Sequence, residues 1–91
     1  MESLPDKISI SDHVLFQQIG EECVLLNLES EQYFGLDDVG ARIWQLLSEN
    51  ENPRITLVQL MEEYDIDEST LSTDLSNLLT LLEKEKLIVL E

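Results

Sequence analysis

The sequence is poor in the residues that most often form cross-links or carry chemistry. Its 91 residues include one cysteine, one histidine, two prolines and three glycines. A single cysteine excludes an internal disulfide and any site built from several thiolates of this chain. We therefore expect the protein to work in a reducing, cytoplasmic environment.

Basic residues are also scarce. Five lysines and arginines stand against 20 aspartates and glutamates, so the formal net charge is −15. A charge of this size repels polyphosphates and anionic lipid surfaces over the range of a Debye length. Nucleic acid and acidic membranes are therefore unfavourable partners. Because the acids are spread along the chain, they indicate a solvated acidic surface or attraction to a basic peptide or a basic enzyme patch.

Long apolar runs are absent, and none approaches the roughly 18 residues of a membrane-spanning helix. The start, MESLPDKISI, lacks the basic end and apolar stretch of a signal peptide, so export by that route is not expected. Hydrophobic residues make up 43% of the chain, which is enough for one compact core. We predict a loose lead-in over residues 1–7 and a single domain over residues 8–91.

Three short apolar runs predict an antiparallel meander. HVLFQQI and CVLLNL flank the turn GEE, in which Gly20 supplies turn chemistry. The third run, EQYFGL at residues 31–36, follows a polar link and is expected at one edge of the sheet. Because side chains alternate along a strand, Tyr33 and Phe34 point to opposite faces. Either of these two aromatic rings can line a surface groove.

Apolar residues at helical spacing predict three helices after the strands. Asp37 or Asp38 can cap the first helix, which is expected to end near Asn50. Pro53 is expected to interrupt the helical pattern, and Thr56 is expected to cap the second helix. The spacing predicts the buried side of this second helix at Leu57, Leu60, Met61 and Tyr64.

The third predicted helix is the longest, and its apolar stripe is broad. Asp67 or Ser69 can begin it. With Leu79 and Leu81 beside the main stripe, the apolar arc covers roughly 160°, whereas packing on one side needs about 100°. Part of this helix is therefore expected to serve a second surface. The main stripe consists of Leu71, Leu75, Leu78 and Leu82, and the final LIVLE either packs on the core or adds a brief strand.

Groups able to perform catalysis are few and scattered. His13 and Cys23 are the only residues of their kinds, and a turn at Gly20 places them several residue pairs apart. The stretch DIDESTLSTD lacks the central glycine and closing glutamate of a calcium loop. No glycine-rich phosphate loop is present in the sequence. We predict no catalytic residue, no metal site and no cofactor.

Three strands followed by three helices, with the last two helices joined by the short DID link, indicate a winged helix-turn-helix. DNA binding is the obvious function for that shape. From residue 56 to residue 86, however, the sequence has eight acidic residues and only two basic ones, Lys84 and Lys86. The negative charge of this region would repel DNA. Peptide recognition is favoured instead, because the edge of the third strand can accept an added strand and the broad apolar helix can form the opposite wall.

Several motifs in the chain resemble the PqqD-like domains, which are also called RiPP recognition elements. They are the strand YFGL, the helix start VGARIW, and Asp74 with Leu78 and Leu82, and the similarity extends over residues 13–90. Lys86 departs from the pattern, because many members have glycine there. The resemblance implies an α+β fold, a winged helix-turn-helix with a three-stranded antiparallel sheet followed by three helices.

The resemblance also implies a function, namely binding of the leader segment of a ribosomally synthesised precursor peptide. The chain would deliver that peptide to a modifying enzyme or leader protease, and VLLNLESEQYFGLDDVGARIW is most similar to stand-alone versions in lasso-peptide pathways. The alternatives are a winged-helix nucleic-acid-binding regulator and a small enzyme that uses Cys23. The binding residues that the resemblance implies are, on the strand, Glu31, Gln32, Tyr33, Phe34, Gly35 and Leu36 and, on the helix wall, some of Leu71, Asp74, Leu75 and Leu78.

Overall fold

A computed structural model describes residues 4–90 of the chain. The strands form a three-stranded antiparallel sheet and a separate two-stranded sheet. The predicted α+β class with a three-stranded sheet and three helices is confirmed. The elements in chain order are β1 (Ile8–Ile10), β2 (Val14–Ile19), β3 (Glu22–Asn27), β4 (Gln32–Leu36), α1 (Asp38–Asn50), α2 (Pro53–Glu63), α3 (Glu68–Lys84) and β5 (Ile88–Leu90).

The three-stranded sheet is the meander that the sequence predicts, and β4 is its third strand. Gly20 lies in the turn between β2 and β3 with a φ of 64°, a left-handed conformation that glycine adopts without steric cost. The register places Phe16 and Phe34 on either side of Leu25. This row faces the helices, since Leu25 is fully buried and both phenylalanines pack against the core.

Side-chain caps fix the starts of α1 and α3. The carboxylate of Asp37 accepts a hydrogen bond from the backbone N–H of Gly40 at 2.7 Å, and α1 ends at Asn50 as predicted. The carboxylate of Asp67 accepts one from the backbone N–H of Thr70 at 3.2 Å. Of the predicted alternatives, Asp37 and not Asp38 caps α1, and Asp67 and not Ser69 caps α3.

The second helix begins earlier than the sequence predicts. The side chain of Asn52 accepts hydrogen bonds from the N–H groups of Arg54 and Ile55, and Pro53 is the first helical residue. Proline suits that position because the first N–H of a helix needs no partner within it. The predicted cap at Thr56 is therefore wrong, and Thr56 is fully buried inside the helix.

The short sheet of β1 and β5 joins the two ends of the described chain. Ser9 lies opposite Val89, so the final apolar segment adds a strand. Leu4 is buried, and the Arg54 guanidinium both donates to its carbonyl at 3.1 Å and pairs with Asp6 at 2.9 Å. Leu4 and Asp6 of the predicted loose lead-in thus contact Arg54 of α2, and residues 1–3 lie outside the described part.

Lys86 makes the turn between α3 and β5. Its φ is 62°, in the left-handed region that glycine occupies most easily. The N–H of Lys86 donates to the Glu83 carbonyl, and the N–H of Leu87 donates to the Leu82 carbonyl. These two bonds form a Schellman motif at the helix end. The position at which many PqqD-like domains have glycine therefore keeps the glycine conformation here.

The core lies between the helices and the inner face of the three-stranded sheet. Met61 does not belong to it, because its side chain is exposed, so the predicted buried side of α2 is wrong at this residue. No helix within residues 4–90 is long and apolar enough to cross a membrane. The fully buried side chains include Ile8, Leu25, Leu47, Leu60, Leu71, Leu75, Leu82, Leu87 and Ile88.

Candidate peptide-binding groove

β4 lies at the edge of its sheet and pairs with β3 on one side only. The backbone N–H of Leu28 donates to the His13 carbonyl at 2.8 Å. This bond shows which residues of β2 and β3 form the hydrogen-bonded pairs. Residues along a central antiparallel strand bond alternately to its two neighbours. β3 therefore uses Cys23, Leu25 and Asn27 to bond β4.

The register then identifies the free backbone groups of β4. Gln32, Phe34 and Leu36 lie opposite the three bonding residues of β3. The backbone N–H and C=O groups of Tyr33 and Gly35 consequently point away from the sheet, and no residue within 4–90 supplies a partner for them. They are the groups to which an added strand would bond.

The two aromatic side chains of β4 take different environments. Phe34 is half-buried and packs against the core on the helix side. Tyr33 projects from the opposite face and is 72% exposed. Both residues also border a cleft of about 500 Å³ with Glu31, Gln32 and Glu85. Phe34 is thus the ring on the helix side, and Tyr33 is the ring on the open face of the sheet.

A second cleft, of about 420 Å³, continues along the same edge between β4, the start of α1 and α3. The two clefts together follow β4 over residues 31–37 and α3 over residues 74–85, and we call them the β4–α3 groove. Half of the residues that line the second cleft are apolar, and one of them, Leu81, is 42% exposed. The lining of this cleft consists of Gly35, Leu36, Asp37, Val39, Gly40, Ile43, Asp74, Asn77, Leu78 and Leu81.

The structure divides the predicted wall of α3 into two faces. Leu71 and Leu75 lie in the core at 1% and 0% exposure, so they support the groove from behind. Asp74 and Leu78 line it, as does Leu81. These three residues and Glu85 follow one another at steps of four, three and four, which places them on one helical face. That spacing is the sequence signal that could have identified Leu81 and Glu85.

Asn27 fixes the beginning of β4 against the end of α3, and sequence reasoning missed it. Its side-chain oxygen accepts hydrogen bonds from the N–H groups of Glu29 and Ser30 at 2.9 and 3.2 Å. Its side-chain nitrogen donates to the Glu85 carbonyl at 3.1 Å. The side chain is 5% exposed, so these bonds have little competition from water. Asn27 therefore holds the two walls of the groove at one end.

The groove is acidic at both ends. Asp37 and Asp74 line one end, and Glu31 and Glu85 line the other. No lysine, arginine or histidine is among the lining residues of either cleft. A lining that combines apolar side chains with carboxylates suits an extended chain that has apolar side chains and positive charge.

The two residues considered for catalysis are far apart in the hairpin. Cys23 lies opposite Gln18 near the turn, whereas His13 lies just before β2 and its ring contacts the Lys86 carbonyl. They form no dyad. Within residues 4–90, no three histidine, cysteine, aspartate or glutamate side chains lie close enough to hold a metal ion.

Comparison with known proteins identifies the family. The family described as Coenzyme PQQ synthesis protein D (PqqD) matches residues 22–88. This chain belongs to the PqqD family. The match extends over β3, β4 and all three helices, so both walls of the groove lie within the family's characteristic region. The resemblance observed in the sequence is confirmed.

Two solved structures are similar to this PqqD-family chain. TbiB1 in complex with the TbiA(beta) leader peptide is 41% identical, with a TM-score of 0.80 over 88% of this chain and 93% of that chain. Lasso peptide synthetase B1 complexed with the leader peptide is 27% identical, with a TM-score of 0.78 over 93% and 99%. No curated protein matches the chain.

Proposed function

We propose that this chain is a non-catalytic recognition module for the leader segment of a ribosomally synthesised precursor peptide. The leader binds as an added strand on β4, with side chains in the β4–α3 groove. The chain then delivers the precursor to a modifying enzyme or leader protease of the same pathway. The synthesis of such precursors on ribosomes agrees with a cytoplasmic location.

The observation that carries this proposal is the position of the open strand edge beside the groove. Tyr33 and Gly35 offer unpaired backbone groups, and Leu36, Leu78 and Leu81 offer apolar contacts next to them. In strand addition the backbone bonds supply affinity, and pockets for alternate side chains supply specificity. The unpaired backbone groups and the apolar residues beside them on one edge support this mode of binding.

The comparisons support the same proposal. Both similar solved structures are complexes with leader peptides, and one is a lasso peptide synthetase B1. A lasso-peptide pathway is therefore the favoured setting, with the leader protease or a modifying enzyme as the second partner.

We also propose that the architecture is a winged helix-turn-helix used for peptide recognition. The link of residues 64–67 joins α2 to α3 as the turn, and the hairpin of β2 and β3 takes the place of the wing. The nucleic-acid alternative has no support from the family or from the similar structures. The net charge of −15 also opposes DNA binding.

Isothermal titration calorimetry tests the function directly. The probe is the synthetic leader segment of the precursor peptide encoded beside this chain's gene, and the control is a scrambled peptide of the same composition. We expect saturable binding at one site for the leader and none for the scrambled peptide. Absence of binding by the leader would contradict the proposal.

A separate experiment tests the non-catalytic assignment. Replacing Cys23 by serine removes the only thiol of the chain. We expect precursor processing by the reconstituted pathway to keep its rate, because the thiol lies outside the groove lining. A complete loss of processing with leader binding intact would favour a catalytic role for Cys23.

A further inference from the structure

We propose that the β4–α3 groove selects a leader segment with a lysine or arginine at its Asp37–Asp74 end, next to the apolar side chain that fills the groove. This inference rests on the proposed function and specifies the chemistry of the bound peptide. A second, weaker preference for a basic residue applies at the Glu31–Glu85 end.

The carboxylate of Asp74 is available to a ligand. It lines the cleft, is exposed, and makes no hydrogen bond or ion pair within residues 4–90. Asp37 lines the same end but uses one carboxylate oxygen to cap α1 through the Gly40 N–H. The positive end of the α1 dipole offsets part of its charge. Asp74 is therefore the main anchor for a cation.

The arginines of the chain are already paired elsewhere. Arg42 pairs with Glu63 at 2.6 Å, and Arg54 pairs with Asp6 at 2.9 Å. Lys84 and Lys86 flank Glu85 in the sequence, so they reduce the negative potential at that end only. No basic residue lines the Asp37–Asp74 end, so its negative potential is less reduced and attracts positive charge more strongly.

The length of β4 sets the spacing of the two preferences. Residues 31 and 37 are six steps apart, which corresponds to about 20 Å in an extended strand. A paired peptide would thus carry basic residues about six positions apart, with apolar residues between them over Leu36, Leu78 and Leu81. The class of ligand is an extended apolar segment bracketed by lysine or arginine.

The overall charge of −15 offers a competing explanation, because it attracts any cationic peptide without a local site. Two matched variants separate the explanations. Asp74→Asn and Glu62→Gln each remove one exposed carboxylate charge, but Glu62 is on α2 and lines neither cleft. A local site responds to the first variant, whereas long-range attraction responds equally to both.

Fluorescence anisotropy with the labelled synthetic leader of the neighbouring precursor measures the response. We expect Asp74→Asn to weaken binding by about threefold to tenfold, Glu85→Gln by about twofold, and Glu62→Gln by less. Replacing the leader's basic residue at the Asp74 end by glutamine should weaken binding by the same factor as Asp74→Asn. The two changes together should cost little more than either alone.

Charge reversal adds a rescue test. Asp74→Lys should impair binding of the natural leader and restore binding of a leader whose basic residue is replaced by glutamate. Equal effects of Asp74→Asn and Glu62→Gln, full binding by the glutamine leader, or a bound segment without basic residues would each overturn the inference and leave the proposed function standing. Absence of binding by every leader would overturn both.

Discussion

The edge strands β1 and β4 differ in whether their outward-facing backbone groups have hydrogen-bond partners. At β1, the Ile8 N–H donates to the Glu51 carbonyl at 2.9 Å, and the Ile10 N–H donates to the Glu51 carboxylate at 3.4 Å. At β4, the outward groups of Tyr33 and Gly35 have no such partner within residues 4–90. One edge is closed by a single residue, and the other is open.

The difference teaches where an added strand is admitted. Glu51 can close β1 because it ends α1 in a left-handed conformation, with φ of 51°, that brings both its carbonyl and its side chain to the strand. Open edges invite unwanted pairing, so proteins usually protect them. An edge left open beside an apolar groove is therefore expected to have a partner.

Blocking the open edge should have the largest effect. Tyr33→Pro removes an outward N–H without removing a bond between β3 and β4, because the Tyr33 N–H does not point into the sheet. We expect leader affinity to fall by about 100-fold or more, measured by calorimetry, since the ring also obstructs the approaching backbone. Tyr33→Ala keeps the N–H and should retain most of the affinity.

The matched control uses the other edge of the same sheet. Gln18→Pro removes an outward N–H from β2, where neither cleft is lined by a β2 residue. Similar melting temperatures for the two proline variants, with binding lost only in Tyr33→Pro, would agree with docking on β4. Equal binding by both would contradict it. Phe34→Pro is less informative, because its N–H points towards Leu25 and the sheet itself would break.

Removing the link between the groove walls should give the next effect. Asn27→Ala deletes three hydrogen bonds and leaves the part-buried Glu85 carbonyl and the N–H groups of Glu29 and Ser30 without their partner. We expect the free energy of unfolding to fall by about 2–3 kcal/mol in urea denaturation. Asn77→Ala, on the exposed groove surface, is the control and should cost little. A loss below about 0.5 kcal/mol for Asn27→Ala would show that the turn holds without it.

The turn between α3 and β5 can be stabilised without changing the open edge of β4. Lys86 has a left-handed backbone conformation at the end of α3, which glycine adopts without steric cost. Lys86→Gly therefore removes strain at this position. We expect stability to rise by about 1 kcal/mol in urea denaturation, with leader affinity unchanged. The carbonyl of residue 86 still accepts from Ser11 and His13. A decrease in stability would contradict this account of the turn.

Acid should weaken the cap of α3 by a smaller amount. Hydrogen bonds from the Thr70 hydroxyl and then the Thr70 N–H hold the pKa of the Asp67 carboxyl below its usual range. A lowered folded-state pKa stabilises the fold above the unfolded pKa, and this contribution is lost as pH falls through the folded value. We expect Asp67→Asn to reduce the loss of stability between about pH 5 and pH 2, measured by urea denaturation. Asp65→Asn is the control, and an identical acid profile for both variants would be the contrary result.

Local patterns predicted much of this fold. Alternating apolar runs located β2, β3 and β4, and aspartates before apolar periodicity located α1 and α3. These signals work because strand alternation and capping depend on neighbouring residues. The predicted cap of α2 at Thr56 is wrong because a proline inside a helical pattern indicates an interruption, whereas Pro53 directly after Asn52 favours a helix start.

Features that depend on distant contacts could not be predicted in the same way. β1 is three residues long, and its partner β5 begins at residue 88, so no local pattern indicates their pairing. The broad stripe of α3 indicated a second surface, but only packing places Leu75 in the core and Leu81 outside it. The open edge of β4 was predicted, while the support from Asn27 required the folded chain.

Amide hydrogen exchange followed by NMR tests the central claim most directly. In the free chain, the amides of Tyr33 and Gly35 should exchange rapidly, because they lack partners at the open edge. With the leader bound, both should become protected, while the outward amides of Phe16 and Gln18 on β2 keep their rates. Protection on β2, or leader binding that leaves Tyr33 and Gly35 unprotected, would contradict docking by strand addition on β4.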